Sequence, residues 1–89
     1  MFVLMIYDVD VKRVTKVLKI GRKYLNHIQN SVLEGDLSPA QYKQLKHEVA
    51  QTINLDHDSV RFYTLRTTQY MTVDKLGVPS RPGDAEAFL

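Results

Sequence analysis

The chain has 89 residues, 44% of them hydrophobic and 25% charged, which is typical of one small globular domain and excludes wholesale disorder. It has no cysteine, so a disulfide framework, a thiol nucleophile and a zinc–thiolate site are excluded. The longest apolar run, Phe2 to Tyr7, is far shorter than the roughly 20 residues that span a membrane. We therefore expect a cytoplasmic protein without a membrane partner.

The net charge of +2 conceals an uneven distribution of charge along the chain. No acidic residue lies between Asp10 and Glu34, and this interval holds six of the twelve lysines and arginines. The rest of the chain carries six basic and ten acidic side chains. One surface of the molecule is therefore expected to attract polyanions such as nucleic acids.

The first two predicted elements are a buried strand and an amphipathic helix. The apolar run from Phe2 to Tyr7 lacks period-two alternation and predicts a central strand that is covered on both faces. After Asp10, the predicted N-cap, apolar residues recur at steps of three and four and form one helical face. The members of this face are Val14, Val17, Leu18, Gly21, Tyr24, Leu25 and Ile28.

The middle of the chain predicts extended structure. Residues 26–37 are interpreted either as one kinked strand or as two short strands joined by a tight turn. In both interpretations Ile28, Val32 and Leu33 belong to the core.

A second helix and two further strands follow. Ser38 begins a capping box, with proline at the first helical position and Gln41 three residues after the cap. Residues 59–66 are rich in β-branched and aromatic side chains and predict a strand. Residues 67–73 also have strand-forming side chains, and the chain ends on the apolar pair Phe88-Leu89.

This order of elements is the βαββαβ order of a ferredoxin-like α+β sandwich. Residues 1–66 are predicted to form the core of this single domain, and residues 67–89 its C-terminal strand and tail, which contact a partner. A strand and an apolar anchor left over after a complete unit favour an extra C-terminal strand that is exchanged or paired across a homodimer.

Asp8 is the first candidate functional residue, because it directly follows the apolar strand and is held by a rigid element. Mg²⁺ prefers oxygen ligands and usually takes only one or two carboxylates while it keeps several waters. A two-fold dimer that brings the two first strands together would present Asp8 twice and form a metal site. The alternative is that Asp8, like Asp10, is a cap or turn residue.

A stripe of basic residues lies opposite the apolar face of the first predicted helix. It consists of Lys12, Lys16, Lys19 and Lys23, with Arg13 and Arg22 beside it. Like charges four residues apart slightly destabilise a helix, and this helix contains no acidic residue to offset them. We therefore expect the stripe to bind nucleic-acid phosphates, and the alternative is a solvated helix face.

Three segments of the chain carry a resemblance to a known family. They are Ile6 to Val9 at the end of the first strand, Ile28 to Leu37 in the middle, and Asp58 to Tyr63 in the last strand of the core. Together they resemble the CRISPR-associated protein two family, the small protein of the spacer-acquisition machinery. The C-terminal part, with Arg66-Thr67-Thr68, Leu76-Gly77-Val78 and Phe88-Leu89, is similar to members attached to type I CRISPR systems.

The resemblance implies a ferredoxin-like homodimer that cleaves phosphodiester bonds with Mg²⁺ or Mn²⁺. The activity described for the family is that of an endoribonuclease on single-stranded RNA or an endonuclease on double-stranded DNA. The resemblance also implies a role in spacer acquisition, in which the dimer bridges two dimers of CRISPR-associated protein one, the integrase. The alternative is a non-catalytic DNA-binding scaffold that joins the integrase dimers.

The resemblance also assigns roles to individual residues. Asp8 corresponds to the metal-binding, catalytic aspartate of the family, and Tyr7 stands beside it. Ser31 occupies the serine of the middle motif and is the third candidate catalytic residue. Lys12 and Arg13 correspond to basic positions early in the first helix of the family.

The chain departs from the family pattern at two positions. The middle motif usually has an aromatic residue where this chain has Leu33, which still suits a core position. The family often has an arginine where this chain has His27. Because neutral imidazole binds anions more weakly than a guanidinium does, phosphate binding at His27 is in doubt.

Overall fold

A computed structural model describes residues 1–67 and 70–79, which form five strands and two helices. In chain order these are β1 (Phe2–Asp8), α1 (Val11–Tyr24), β2 (Asn26–Gln29), β3 (Val32–Asp36), α2 (Pro39–Thr52), β4 (Ser59–Thr67) and β5 (Tyr70–Gly77). Neither of these helices is long and apolar enough to cross a membrane.

The five strands form one antiparallel sheet in the order β2-β3-β1-β4-β5, with β1 in the centre. The first six elements follow the βαββαβ order, and both helices contribute to one core with the sheet. The predicted ferredoxin-like α+β sandwich is confirmed, and β5 extends the sheet beyond β4.

Both helices pack on the same face of the sheet, where alternate side chains of β1 meet them. Met5 and Tyr7 of β1 are buried there with Val17 of α1 and Leu45 of α2. Within one chain, helices therefore cover β1 on one face only. The prediction that both faces of this strand are covered does not hold for the described residues of a single chain.

The other face of the sheet, here called the open face, bears the side chains of Leu4, Ile6, Val32 and Tyr63. Ile6, Val32 and Tyr63 form a small buried cluster of their own, and Leu4 packs against it. No helix contributes a residue to this cluster in the described part of the chain.

The predicted caps begin both helices. The Asp10 side chain accepts a hydrogen bond from the backbone N–H of Lys12 at 2.9 Å and begins α1. At α2, the Ser38 hydroxyl accepts from the Gln41 N–H at 3.1 Å, and the Gln41 side chain accepts from the Ser38 N–H at 2.9 Å. The capping box predicted from the sequence is therefore confirmed.

Residues 26–37 form two strands, which decides between the two interpretations of the sequence. The tight turn between them contains Asn30, whose positive φ of 30° is tolerated better by asparagine than by most residues. Val32 and Leu33 are buried as predicted, but the prediction for Ile28 is wrong, since it is 52% exposed. The pairing of β2 with β3 shifts register around Ile28, which makes it the extra residue of an edge-strand bulge.

β5 pairs with β4 of the same chain, from Tyr70 opposite Thr67 to Gly77 opposite Ser59. The C-terminal strand thus begins and ends later than residues 67–73, for which the sequence predicts it, and it is paired within the chain. Its exchange or pairing across a homodimer stays a prediction, as does the division of the chain after residue 66. The apolar anchor Phe88-Leu89 lies outside the described residues.

Candidate metal and nucleic-acid site

Asp8 is the last residue of β1 and is exposed where the central strand leaves the sheet. Because Tyr7 packs toward the helices, the alternation of the strand places Asp8 on the open face together with Ile6. Its register partner on β4 is Ser59. The structure therefore holds this carboxylate at a rigid strand end, as the sequence predicts.

An open cleft of about 640 Å³ lies beside Asp8. Its walls come from the loop after β1, the start of α1, the turn before β4 and the residues after β5. The cleft brings Asp8 together with Lys12 and Arg13, which the sequence assigns to the same site, and adds Asp58, which it does not.

Asp58 holds the loops around this cleft in place. Its side chain is 1% exposed, and its carboxylate accepts hydrogen bonds from the backbone N–H of Asp10 at 3.0 Å and of Asn54 at 2.8 Å. Arg13 donates two more, from Nε at 2.6 Å and from Nη2 at 3.0 Å. The hydrogen bonds from Arg13 are the largest cause that holds the pKa of Asp58 well below its ordinary value, against the opposing effect of burial.

The backbone of Asp58 also fixes the end of β5. Its carbonyl accepts a hydrogen bond from the Val78 N–H at 2.8 Å. Gly77 approaches so closely that a Cβ at this position would lie 1.8 Å from the same carbonyl oxygen, and its φ of +83° also favours glycine. Asp58 thus connects the loop after Asp8 to the turn before β4 and to the end of β5.

Arg13 was predicted to bind nucleic acid, but its guanidinium is engaged by Asp58, and its side chain is 24% exposed. A phosphate would have to compete with a buried carboxylate for the same N–H donors. The structure therefore gives Arg13 a role in holding Asp58, and its contact with nucleic acid stays a prediction.

Tyr7 and Ser31, the other predicted catalytic residues, meet at the turn between β2 and β3. The Tyr7 hydroxyl donates to the Asn30 carbonyl at 3.3 Å, and the Tyr7 backbone N–H donates to the Ser31 carbonyl at 3.1 Å. His27 Nε2 lies 2.8 Å from the same Asn30 oxygen. Burial raises the pKa of the Tyr7 phenol, with Arg22 acting in the opposite direction. A buried neutral phenol of this kind is suited to holding the turn, and the catalytic roles of both residues stay predictions.

The predicted basic stripe divides into two groups. All four lysines are exposed along α1, and Lys12 also lines the cleft beside Asp8. Lys23 also donates to the carboxylate of Glu48 on α2, which lowers the pKa of that carboxyl. The acidic partner that is missing from the sequence of α1 is thus supplied by the neighbouring helix.

The described residues of one chain do not enclose a metal ion. Within residues 1–67 and 70–79, no three histidine or acidic side chains cluster as potential ligands. The carboxylate of Asp10 caps α1, and both oxygens of Asp58 accept hydrogen bonds. The exposed carboxylate of Asp8 fits one ligand of a hard cation, which usually takes only one or two carboxylates, and a second copy would supply the other.

Asp58 is the residue of this site that sequence reasoning missed. In the sequence it belongs to a short polar turn before a strand, which is an ordinary position for an aspartate. Its partners Asp10 and Arg13 are 48 and 45 residues away along the chain. An acidic residue directly before a core strand was the only available signal, and it is a weak one.

Comparison with known proteins agrees with this fold. The family model described as CRISPR associated protein Cas2 matches residues 1–73. The chain is 54% identical over 78 residues to the CRISPR-associated endoribonuclease Cas2 of Thermotoga maritima, covering 88% of this chain and 90% of that protein. It is 50% identical, with the same coverage, to the protein of the same name from Dictyoglomus turgidum.

Solved structures give the same result. A crystal structure of Cas2 superposes with a TM-score of 0.73 at 38% identity, covering 91% of this chain and 87% of that one. Cas2 from Streptococcus pyogenes superposes with a TM-score of 0.68 at 39% identity, covering 73% and 86% of the two chains. The family match, the sequence identities and the shared fold together show that the chain belongs to the Cas2 family of CRISPR-associated proteins.

Proposed function

We propose that this chain acts in CRISPR spacer acquisition as a homodimeric, metal-dependent endonuclease in which Asp8 is the metal ligand. The observation that carries the proposal is the exposed carboxylate at the end of the central strand, on the open face of the sheet. The relatives from Thermotoga maritima and Dictyoglomus turgidum are named endoribonucleases, which supports RNA as a substrate. The resemblance to the family adds that this RNA is single-stranded. Double-stranded DNA is the other substrate to be tested.

Apolar side chains on the open face support the homodimer. Ile6 and Tyr63 belong to its small cluster, and Met71 and Val73 on β5 are 57% and 38% exposed. An apolar sheet face is normally covered, and a second copy would cover it with the same surface under two-fold symmetry. Because Asp8 lies on this face at the end of the central strand, packing of β1 against β1 would bring two Asp8 carboxylates together.

Asp8 from each copy would hold Mg²⁺ or Mn²⁺. When bound, such an ion polarises a phosphoryl oxygen and lowers the pKa of a coordinated water. The other residues of the cleft position this carboxylate and attract the substrate. Asp58 fixes the loop that follows Asp8, Arg13 holds Asp58 in turn, and Lys12 adds a positive charge on the wall of the cleft.

The substitution Asp8→Asn tests the metal site, because it keeps the size of the side chain and removes its charge. We expect Mg²⁺-dependent cleavage of RNA and DNA to fall by orders of magnitude, since the metal supplies charge stabilisation and the nucleophile. The variant should still sediment as a dimer and should bind nucleic acid normally in EDTA.

Asp36→Asn is the matched control for this experiment. Asp36 is also an exposed aspartate at the end of a strand, but it lies opposite Phe2 at the other end of β1. Retained cleavage in Asp8→Asn, or an equal loss in Asp36→Asn, would show that the metal site has been assigned wrongly.

A non-catalytic scaffold is the second candidate function. The observation in its favour is that Lys16 and Lys19 are exposed on the helix layer, whereas Asp8 lies on the opposite face of the sheet. DNA held along Lys16 and Lys19 would therefore lie on the face opposite to the Asp8 carboxylate, and Lys12 at the start of α1 is the lysine of the stripe that lines the cleft of Asp8. This arrangement suits a dimer that carries double-stranded DNA and bridges two dimers of CRISPR-associated protein one, the integrase, in a type I system.

Spacer acquisition in cells that express the integrase distinguishes the two functions. Retained acquisition with Asp8→Asn would support the scaffold and make cleavage dispensable. Loss of acquisition in a variant that still dimerises and binds DNA would support the nuclease.

A further inference from the structure

Opposite charges flank the central strand on the open face. The register partner of Ile6 on β4 is Arg61, and the register partner of Leu4 on β3 is Glu34. Because Ile6 and Leu4 belong to the small cluster of the open face, their register partners also point to this face. Arg61 therefore lies on one side of β1 and Glu34 on the other.

Each side of β1 has a second charge of the same sign next to the first. Lys75 of β5 is the register partner of Arg61 and shares its face. Asp36 stands two residues after Glu34 on β3 and therefore also points to the open face. The open face thus has a cationic half, with Arg61 and Lys75, and an acidic half, with Glu34 and Asp36.

Arg61 and Glu34 are both partly buried, and neither forms an ion pair in the described part of the chain. A second copy packed on the open face would remove both side chains further from water. A charge buried without an opposite partner is strongly unfavourable. The second copy must therefore bring a carboxylate to Arg61 and a cation to Glu34.

We infer that Arg61 of each copy pairs with Glu34 of the other across the homodimer interface. The inference rests on the proposed function for the existence of the dimer, and it adds the orientation of the two copies. A two-fold axis that runs along β1, between the facing sheets, places the cationic half of one copy over the acidic half of the other. An axis across the strands would place each half over itself, with like charges together.

The dimensions of packed sheets suit this pairing. Facing sheets lie about 10 Å apart, and Arg61 and Glu34 differ in level by two residues along the strands, which is about 7 Å. Both side chains carry their charge at the end of a long stem, so they can meet across this gap. The planar guanidinium of arginine also matches a carboxylate with two parallel hydrogen bonds.

The same axis also serves the proposed metal site. It leaves each residue of β1 facing its own counterpart, so Asp8 of one copy faces Asp8 of the other. An axis across the strands would bring the two Asp8 residues together only at the ends of the sheets, and most of both open faces would stay uncovered. Arg61 and Glu34 are therefore positioning residues for the two carboxylates.

Charge reversal tests the pairing, with the dimer Kd measured by analytical ultracentrifugation in EDTA and without nucleic acid. Each substitution changes two symmetry-related pairs in a homodimer. Arg61→Glu and Glu34→Arg should each raise the dimer Kd by about 100-fold or more, because like charges then meet in a buried interface. Lys43→Glu is the matched control, since it reverses an exposed lysine of α2 in the helix layer, and it should leave the dimer Kd unchanged.

A mixture of the two reversed proteins gives the sharpest result. In a mixed dimer, one pair is the native contact between Arg61 and Glu34, and the other holds the same two charges in exchanged positions. The mixed dimer should therefore form with about the Kd of the parent, and native mass spectrometry identifies it by its mass. A role of either residue within its own chain predicts no such recovery.

Neutral variants keep the test valid if circular dichroism shows that a reversed protein is unfolded. Arg61→Gln and Glu34→Gln should each raise the dimer Kd by about 10-fold or more, because each leaves an unpaired charge in the interface. The double variant should raise it by less than the product of the two single effects, since the second substitution has no remaining pair to break.

The outcomes separate the pairing from the proposed function. An unchanged dimer Kd in both reversed variants, or two folded reversed proteins that stay monomeric when mixed, would overturn the pairing and leave the homodimer in place. A parent that sediments as a monomer at micromolar concentration would overturn the homodimer and the pairing together. Recovery of the mixed dimer without Mg²⁺-dependent cleavage would support the pairing and refute the metal site.

Discussion

Replacement of the exposed lysines of α1 by glutamine should reduce the salt dependence of DNA binding by an amount that the structure sets. Lys12, Lys16, Lys19 and Lys23 are all exposed, but among the described residues Lys23, like Arg13, forms an ion pair with a carboxylate and the other three do not. Three of the five predicted cations therefore remain available to phosphates. Each contact contributes about 0.9 to the slope of log affinity against log salt, so the triple substitution should lower the slope by about 2.7.

That change is large enough to measure. Between about 50 and 200 mM salt, the loss of affinity should be about 40-fold smaller in the triple variant than in the parent. Fluorescence anisotropy with a labelled duplex in EDTA gives the slope without interference from cleavage. The duplex sequence should not matter, because phosphate contacts carry no sequence information.

Two further variants refine the test. Lys43→Gln makes a single change of the same charge away from α1 and should leave the slope unchanged. Addition of Lys23→Gln to the triple variant should also change it little, because Lys23 is held by Glu48. If adding Lys23→Gln lowers the slope of log affinity against log salt by about 0.9 more, Lys23 is not paired with Glu48 in solution. If the triple variant has the same slope as the parent, the lysines of α1 form only a solvated helix face.

Asp58→Asn should lower stability at neutral pH. Because the native pKa of Asp58 lies below its unfolded value of about 3.9, the ionised group stabilises the fold above that value, and this contribution is lost as the pH falls below it through the native pKa. Urea unfolding between about pH 7 and pH 2 should therefore show a shallower pH dependence in the variant, and an equal dependence would contradict the role of Arg13 as its partner. Phe62→Ala removes a fully buried ring whose centroid lies 5.6 Å from that of Tyr42, and it should cost about 3 to 5 kcal/mol in urea unfolding. Ser38→Ala should cost about 1 kcal/mol in the same assay, because it removes the capping box of α2, and no loss would mean that water replaces the cap.

The regular elements could be predicted wherever hydrophobic period and cap chemistry agree. Ser38 and Gln41 define the start of α2 because their hydrogen bonds are local and leave a fixed spacing in the sequence. Asp10 defines the start of α1 for the same reason. Asp8 could be placed at a strand end because the apolar run of β1 stops directly before it.

The parts that could not be predicted depend on contacts between distant segments. Asp58 meets Arg13 across 45 residues, and Lys23 meets Glu48 across 25, so no local spacing announces either pair. Ile28 fits the helical period of α1, but the helix ends at Tyr24 and a bulge in β2 leaves the side chain in solvent. A helical spacing of apolar residues can therefore continue past the last residue of the helix, because an apolar residue of the next strand happens to stand at the same spacing.

The alternation along β1 has a consequence for changes in chain length. Tyr7 faces the helices and Asp8 faces away, and this division depends on the number of residues between the start of the strand and its end. Insertion or deletion of one residue within β1 would turn the carboxylate beneath the helices and push the phenol into water, at the cost of burying a charge. Insertion or deletion of two residues would return each side chain to its own face. A redesign of this strand therefore preserves the site only if it changes the length by an even number of residues.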